Sequence, residues 1–412
     1  MFEPIKNGFH FSRDAVGFLS EAQRRHGDYH LTRFGTRRVH LIFDPELART
    51  VLGDPLTFRK TKFVYDKIKP ITGPGGLVQI EGESGLKLRQ AFNRHFNRDS
   101  ISAYLATARV IVEHRIQDFE GEHDIRGTAT ELVLETALAM FAGVTSNGSS
   151  ATGLSEQFLR LNELCAREFK NLLPTGNPLR RWQIRRTQRR LDRAIEEVVQ
   201  ANSDPNSLIS TLRAGASDIP AEVSSQFLRD QVKTFLFAGH ETTATYLIMA
   251  LDELAKDGRL QHLVREDLLE HPDGGGEIAT AFLREVLRLH SPAWMIVRES
   301  TGDGEAGGYP YRQGDYFFIG VHQIHHHPDH WGSPDRLDLA NQAQKNIAFL
   351  PYGAGKRHCI GSRLADLELK MILGILLGRY QLTHAGDYST VRPKVMITAY
   401  PDEPVQIRFS NR

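Results

Sequence analysis

The sequence predicts a mainly α-helical protein with a minor β component contributed by both ends of the chain. Three observations carry that expectation. From Leu86 onward apolar residues recur at three- and four-residue spacing, the period of a helix with one buried face. Strand-like alternation is confined to short pieces near residues 30–43, 309–319 and 394–409. No internal repeat, low-complexity tract or domain-separating linker interrupts the chain.

Taken in order, residues 30–34 and 38–43 alternate around Gly35 and Thr36 and predict a hairpin. Asp44 and Pro45 then open a helix to about Leu52, because aspartate caps and proline suits the first turn. Residues 58–82 hold Pro70, Gly73, Pro74, Gly75 and Gly76 and are expected to form a long irregular segment of functional use. Helices are expected over 100–120, 129–141, 179–199 and 222–256. The helix from Leu179 carries Arg180, Arg181, Arg185, Arg186, Arg189, Arg190 and Arg193 nearly all round. That distribution favours a solvated face over contact with anionic lipid or nucleic acid, and both readings stay open.

The chain of 412 residues can bury roughly three-quarters of its unfolded surface, so it needs no covalent staple. Lys and Arg total 51 against 50 Asp and Glu, a net charge of +1, which argues against a nucleic-acid partner. Cys165 and Cys359 cannot build a disulfide framework or a four-thiolate zinc site, and the expected compartment is reducing and cytoplasmic. Residues 1–28 lack the apolar core of a signal peptide, and no run of 18 apolar residues predicts a membrane span.

Several motifs imitate chemistry. His240-Glu241 begins like a zinc-protease helix, but position 244 is Ala and one imidazole cannot hold the metal. The glycines before Lys356 resemble a phosphate loop, yet Arg357 stands where a magnesium-binding hydroxyl belongs. The run His325, His326, His327 and His330 is broken by Pro328 and Asp329 and is expected to be a solvated cluster.

Cys359 is different. It follows Tyr352-Gly353-Ala354-Gly355-Lys356-Arg357-His358 and precedes Ile360-Gly361, where a helix begins with apolar residues at Leu364, Leu367 and Met371. A helix N-terminus and a nearby arginine favour the thiolate, and glycines let backbone approach a flat cofactor closely. Here the sequence resembles the cytochrome P450 superfamily, whose haem signature is an aromatic, then Gly-x-Gly-x-(Arg/His)-x-Cys-x-Gly. Tyr352 to Gly361 fits it, with tyrosine in place of the usual phenylalanine.

The resemblance implies a cytochrome P450 fold, an α-helical haem domain with a small β-rich region, over a single domain 1–412. It implies haem b (iron protoporphyrin IX) with Cys359 as axial iron ligand; a thiolate raises the electron density on iron and favours O–O cleavage. Ala238-Gly239-His240-Glu241-Thr242-Thr243 matches the family's oxygen-activation motif, with Glu241 and Thr242 as the catalytic proton relay. Ala238 and Gly239 would open a groove beside the cofactor, and Gly353 and Gly361 shape the cysteine loop. Glu285-x-x-Arg288 matches the family's core ion pair, 74 residues before the cysteine. Its usual third partner is an arginine; Asn341 stands there and is expected to supply a hydrogen bond instead. Arg89, Arg298 and Arg357 are the expected haem-propionate ligands. Gly85 replaces the aromatic or imidazole donor that usually precedes Arg89.

The implied activity is that of a bacterial-type haem-thiolate monooxygenase that inserts one oxygen atom into a small apolar organic substrate. Phe237, Ala238, Met295, Ile296, Val297 and Met396 are the pocket residues the resemblance implies. Nothing resembles a fused reductase, so the expected partners are a separate ferredoxin and ferredoxin reductase acting on a monomer. Oxidative coupling, desaturation or ring rearrangement on the same fold is the alternative, and a non-catalytic haem sensor a more distant one. Cys165 is assigned no role.

Overall fold

The computed structural model describes residues 3–144, 149–169, 177–202, 204–215, 217, 219, 222–272, 274, 276–341, 343–385, 393–395, 398–401 and 403–412. Helices run α1 Glu3–Arg13, α2 Ala15–His26, α3 Pro45–Gly53, α4 Lys62–Thr72, α5 Gly82–Asn93, α6 Arg98–Arg115 and α7 Ile125–Ala137. They continue as α8 Ser149–Phe169, α9 Pro178–Ala201, α10 Leu208–Ala214, α11 Ser225–Lys256, α12 Gly258–Glu270, α13 Glu277–Leu289, α14 Val321–His325 and α15 Ser362–Arg379. Strands are β1 Tyr29–Phe34, β2 Arg37–Ile42, β3 Phe58–Arg59, β4 Gly121–Asp124, β5 Ile296–Ser300 and β6 Gly304–Ala306. The remaining strands are β7 Tyr309–Tyr311, β8 Tyr316–Ile319, β9 Tyr380–His384, β10 Pro393–Val395, β11 Ala399–Pro401 and β12 Gln406–Asn411. Helix therefore dominates, as the periodicity predicts.

The chain divides into two compact units, one of residues 1–66, 281–359 and 393–400, the other of 67–280, 360–392 and 401–412. The first is built on a sheet of order β1-β2-β8-β5-β3. Its β1–β2 hairpin closes with Phe34 opposite Arg37 and Gly35 at φ 58°, the left-handed turn that glycine suits. Leu41, Phe43, Trp294 and Phe318 fill one core cluster, and Ile42, Val51, Phe317 and Leu350 belong to a second. Asp44 caps α3 through Leu47 N at 2.6 Å, as its sequence position predicts.

In the second unit α11 is the axis. Its buried residues run nearly all round it, the pattern of a helix enclosed by others. Phe235 of α11 meets Phe92, Phe96 and Phe141 at ring-centroid distances of 5.6, 5.3 and 5.6 Å. A three-stranded sheet of order β4-β12-β9 completes this unit. Gln261 of α12, almost fully buried, clasps β9: its Oε1 accepts from Leu382 N at 3.0 Å and its Nε2 donates to Leu382 O at 2.9 Å.

Two expectations are corrected. The segment 58–82 is not irregular throughout, because α4 occupies its centre and buries Ile68 and Ile71. Pro70 removes one intrahelical donor near the end of α4 without preventing the helix, and Gly73 terminates it at φ 74°. The histidine run is not a solvated cluster either. His325 is fully buried, and His326, His327 and His330 are half-buried. Among the described residues no three metal-ligating side chains converge, and no helix is long and apolar enough to cross a membrane.

The Gln261 clasp yields a stability prediction. Gln261→Leu leaves a buried strand N–H and C=O without partners and should cost about 2–3 kcal/mol, read as a lower urea midpoint with unchanged slope.

Candidate functional site

The cysteine loop belongs to the first unit. Gly353 and Gly355 lie at φ 68° and 69°, a region closed to most side chains. Gly355 has a second constraint, since a Cβ there would stand 2.5 Å from Leu52 O and 2.8 Å from Gly53 Cα of α3. Short bonds then fold the loop on itself: Gly353 N donates to Leu350 O at 3.0 Å, His358 N to Gly355 O at 3.0 Å and Cys359 N to Tyr352 O at 2.9 Å. This geometry leaves Cys359 exposed, whereas Cys165 is buried in the manner of an inert core thiol. Gly353 also packs against β5, with Ile296 Cδ1 3.5 Å from the position of its Cβ.

What holds the loop is a buried polar chain that starts at Glu285. Arg288 is fully buried and forks onto Glu285, Nε to Oε1 and NH2 to Oε2, both at 2.9 Å. The same guanidinium donates to four carbonyls, His325 O at 2.9 Å, Pro334 O at 2.6 Å, Ser333 O at 3.1 Å and Arg336 O at 2.8 Å. Glu285 Oε2 accepts further bonds from Asp338 N at 3.1 Å and from Asn341 Nδ2 at 3.0 Å. Asn341 therefore makes the neutral bond expected of it in place of a second cation.

His325 carries the chain onward. Its Nε2 accepts from Leu350 N at 2.9 Å, so its Nδ1 holds the proton and donates to Arg288 O at 3.0 Å. Burial pushes this imidazole well below its ordinary pKa, which suits a neutral acceptor. Arg49 adds a second tie, donating to Ile347 O at 2.8 Å and Phe349 O at 3.3 Å ahead of the loop. Sequence reading missed both His325 and Arg49, since neither sits in a motif with chemical spacing.

The expected propionate ligands and pocket residues of this unit lie on β5 and the loop. Arg298 is nearly buried and donates to Val297 O at 2.9 Å, while Arg357 is half-buried and reaches Pro55 O at 3.4 Å. Met295 and Ile296 are half-buried, and Val297 belongs to a core cluster. Met396 lies outside the described residues.

In the second unit α11 is helical through Ala238–Thr243, without a break. The flanking turns are buried, yet Ala238 is exposed and Phe237, Gly239, Glu241 and Thr242 are half-buried, so one open strip crosses an enclosed helix. Thr242 Oγ1 donates to Ala238 O at 2.6 Å, and Asn162 Nδ2 of α8 lies 3.5 Å from Glu241 Oε2. A Cβ on Gly239 would meet the Phe141 ring at 3.3 Å, so this glycine serves helix packing. Arg89 is half-buried on α5. Gly85 cannot carry the donor usual at its position, because a Cβ there would stand 2.5 Å from Ile80 O. Gly361 caps α15, accepting from Ala365 N at 2.8 Å.

Upstream on α11, three side chains grip the glycine-rich segment after α4. Asp230 Oδ2 accepts from Gly75 N at 2.9 Å, Gln231 binds Leu77 N at 2.9 Å and Gly75 O at 2.7 Å, and Thr234 donates to Thr72 O at 3.0 Å. Gly73 and Gly76 are needed for that approach, since Cβ atoms there would stand 2.4 Å from Asp230 and 2.0 Å from Thr234 Oγ1.

An exposed thiol on a loop that excludes side chains is what a thiolate-ligated flat cofactor requires. The residues fit haem.

Three substitutions test this architecture. Replacing Arg288 by Lys removes the fork and most of the carbonyl bonds and should cost about 3–5 kcal/mol, whereas Asn341→Ala should cost about 1 kcal/mol, both read from urea unfolding. His240 has neither ring nitrogen hydrogen-bonded among the described residues and packs edge-on to Phe158 at 5.4 Å. Burial lowers its pKa from 6.5 to about 4. The unfolded chain therefore takes up the proton first, and stability falls as pH drops from 6.5 to 4. His240→Phe should recover on the order of 3 kcal/mol of that loss at the acid end.

The family model described as Cytochrome P450 matches residues 5–409. Cyclooctat-9-en-7-ol 5-monooxygenase of Streptomyces melanosporofaciens is 28% identical over 392 residues, covering 87% of this chain and 83% of that protein. Putative cytochrome P450 132 of Mycobacterium tuberculosis (strain ATCC 25618 / H37Rv) is 34% identical over 228 residues, 50% of this chain and 49% of that protein. Among solved structures, retinoic acid bound cyanobacterial CYP120A1 superposes with a TM-score of 0.84 at 21% identity, covering 98% of this chain and 96% of that one. The cytochrome P450DA heme domain gives 0.84 at 19% identity, covering 96% and 93%. The chain belongs to the cytochrome P450 family.

Proposed function

We propose that this haem-thiolate monooxygenase, in which the Cys359 thiolate would hold the iron of haem b, inserts one atom of dioxygen into an apolar organic substrate. The observation that carries the assignment is the exposed Cys359 thiol on a loop pinned by the Glu285–Arg288–His325 chain. In this reading residues 1–412 form one haem domain. When bound, the haem supplies dioxygen binding and reductive O–O cleavage, while the protein orients substrate and controls protons.

Each side chain then has a task. Arg89, Arg298 and Arg357 neutralise the haem carboxylates, for which planar guanidinium donors are suited. The Thr242 hydroxyl donates to Ala238 O, so its lone pairs are left to accept a hydrogen bond, and the Glu241 carboxylate beside it can take up and release a proton. Asn162 steers that carboxylate from α8. Met295, Ile296 and Val297 are apolar side chains of the kind that exclude water from a substrate, as are Phe237 and Ala238. A relative named for oxidation of cyclooctat-9-en-7-ol, an alkenol, supports a substrate of terpenoid, fatty-acyl or polyketide-like character. The Glu241–Thr242 pair favours dioxygen chemistry over rearrangement, which needs no proton delivery. Electrons come from a ferredoxin and its reductase in the cytoplasm, where thiols stay reduced.

Turnover under labelled dioxygen is the test, with one labelled oxygen expected in each product molecule and unlabelled or rearranged product refuting the reading. Cys359→Ser should abolish the thiolate-type absorption band of the reduced carbon monoxide complex, and persistence of that band would refute the ligand assignment.

A further inference from the structure

We propose that the outward face of α9 docks onto an anionic membrane surface through lipid phosphate groups. The proposal rests on the distribution of charge along this helix and stands apart from the catalytic reading.

The whole chain is close to neutral, yet residues 178–193 hold seven arginines and one aspartate, a local charge of +6. The expectation of arginines nearly all round the helix is corrected by the structure. Ile184, Thr187, Leu191, Ile195 and Val199 point into the protein, and Arg181, Arg185, Arg186, Arg189, Arg190 and Arg193 share the exposed side. Two of the helix's three acids, Asp192 and Glu196, are turned away from that side, and the third, Glu197, is exposed one turn beyond Arg193. Asp192 Oδ1 lies 2.6 Å from Lys233 Nζ, and Glu196 Oε2 lies 3.3 Å from Arg229 NH1, both on α11.

This segregation is costly to the isolated protein. Arg185–Arg189, Arg189–Arg193 and Arg186–Arg190 are like-charge neighbours one turn apart, and such pairs destabilise a helix. The first turn of α9 has no acidic residue and begins the run of arginines at the end where the helix dipole disfavours cations. Among the described residues, Arg185, Arg189, Arg190 and Arg193 meet no carboxylate. An external anionic plane reverses the sign of every one of these contributions.

The shape and the apolar residues favour a bilayer. A straight helix sets Arg181 to Arg193 along a line of roughly 18 Å, which suits a plane of headgroups. Leu179 and Trp182 stand on the same face at its N-terminal end, 63% and 51% exposed. Tryptophan with adjacent cations is the composition of the headgroup layer, and the Arg186 guanidinium already stacks on the Trp182 ring at 5.3 Å. Nucleic acid would satisfy the charge but gives no use to an exposed leucine.

Flotation of the holoenzyme with vesicles tests the idea. Vesicles of phosphatidylcholine with phosphatidylglycerol should carry the protein at about 0.1 M salt and release it at about 1 M, where the screening length falls to about 3 Å. Vesicles of phosphatidylcholine alone should not bind it. The variant R185E/R186E/R189E/R190E should keep the haem absorption spectrum and lose at least about 100-fold in vesicle partitioning. Trp182→Ala should weaken binding without changing its salt dependence. Failure to bind anionic vesicles, equal binding of neutral ones, or an unaffected quadruple variant would overturn the proposal. Retention on DNA or on an acidic protein without vesicle binding would overturn it too, and would reassign the face.

Discussion

The loop that carries Cys359 depends on one buried guanidinium. Burying a cation costs several kcal/mol unless its donors are all met, and Arg288 meets them with a carboxylate fork and four carbonyls. Those carbonyls belong to residue 325, the last of α14, and to residues 333, 334 and 336, irregular chain with no ladder of its own to satisfy them. The arginine thus serves as a local substitute for secondary structure. Through His325 the constraint passes to Leu350, and from Leu350 O to Gly353, where the cysteine loop begins. A loop that must present a thiol outward cannot rely on its own burial for rigidity, so its rigidity is imported from behind.

The second unit solves a complementary problem. A helix enclosed on nearly all sides would offer no surface for chemistry, yet α11 opens at Phe237–Gly239, Glu241 and Thr242. The opening sits in a helix anchored before it and after it. Before it, Asp230, Gln231 and Thr234 tie down the chain that follows α4. After it, residues 243–252 are buried without interruption. Polar anchors upstream and apolar packing downstream leave the middle turns free to be shaped by function rather than by the fold.

The fold class and the family motifs were legible in the sequence because each is a local pattern. Helical period, an Asp-Pro start and glycines at positive φ all act within a few residues of themselves. What escaped was non-local. His325 looked like a member of a solvated run, and only the approach of Leu350 shows why its imidazole must be neutral and buried. Prolines and lysines around residue 70 masked α4, whose Ile68 and Ile71 are buried by tertiary contacts that propensity does not register. Gly85 read as a lost donor, whereas the nearby Ile80 carbonyl leaves no room for any side chain. Asn341 was the exception, because a missing arginine beside a known partner left one chemical role to fill.

The Gln261 clasp has a consequence for how the chain behaves in a crowded solution. β9 is an outer strand of its sheet, and an outer strand is a template on which another chain can grow. By occupying both Leu382 N and Leu382 O, the Gln261 amide imitates one residue of a neighbouring strand and closes the site at which such growth would start. The helix that supplies it therefore guards against self-association during folding as well as contributing to the finished core.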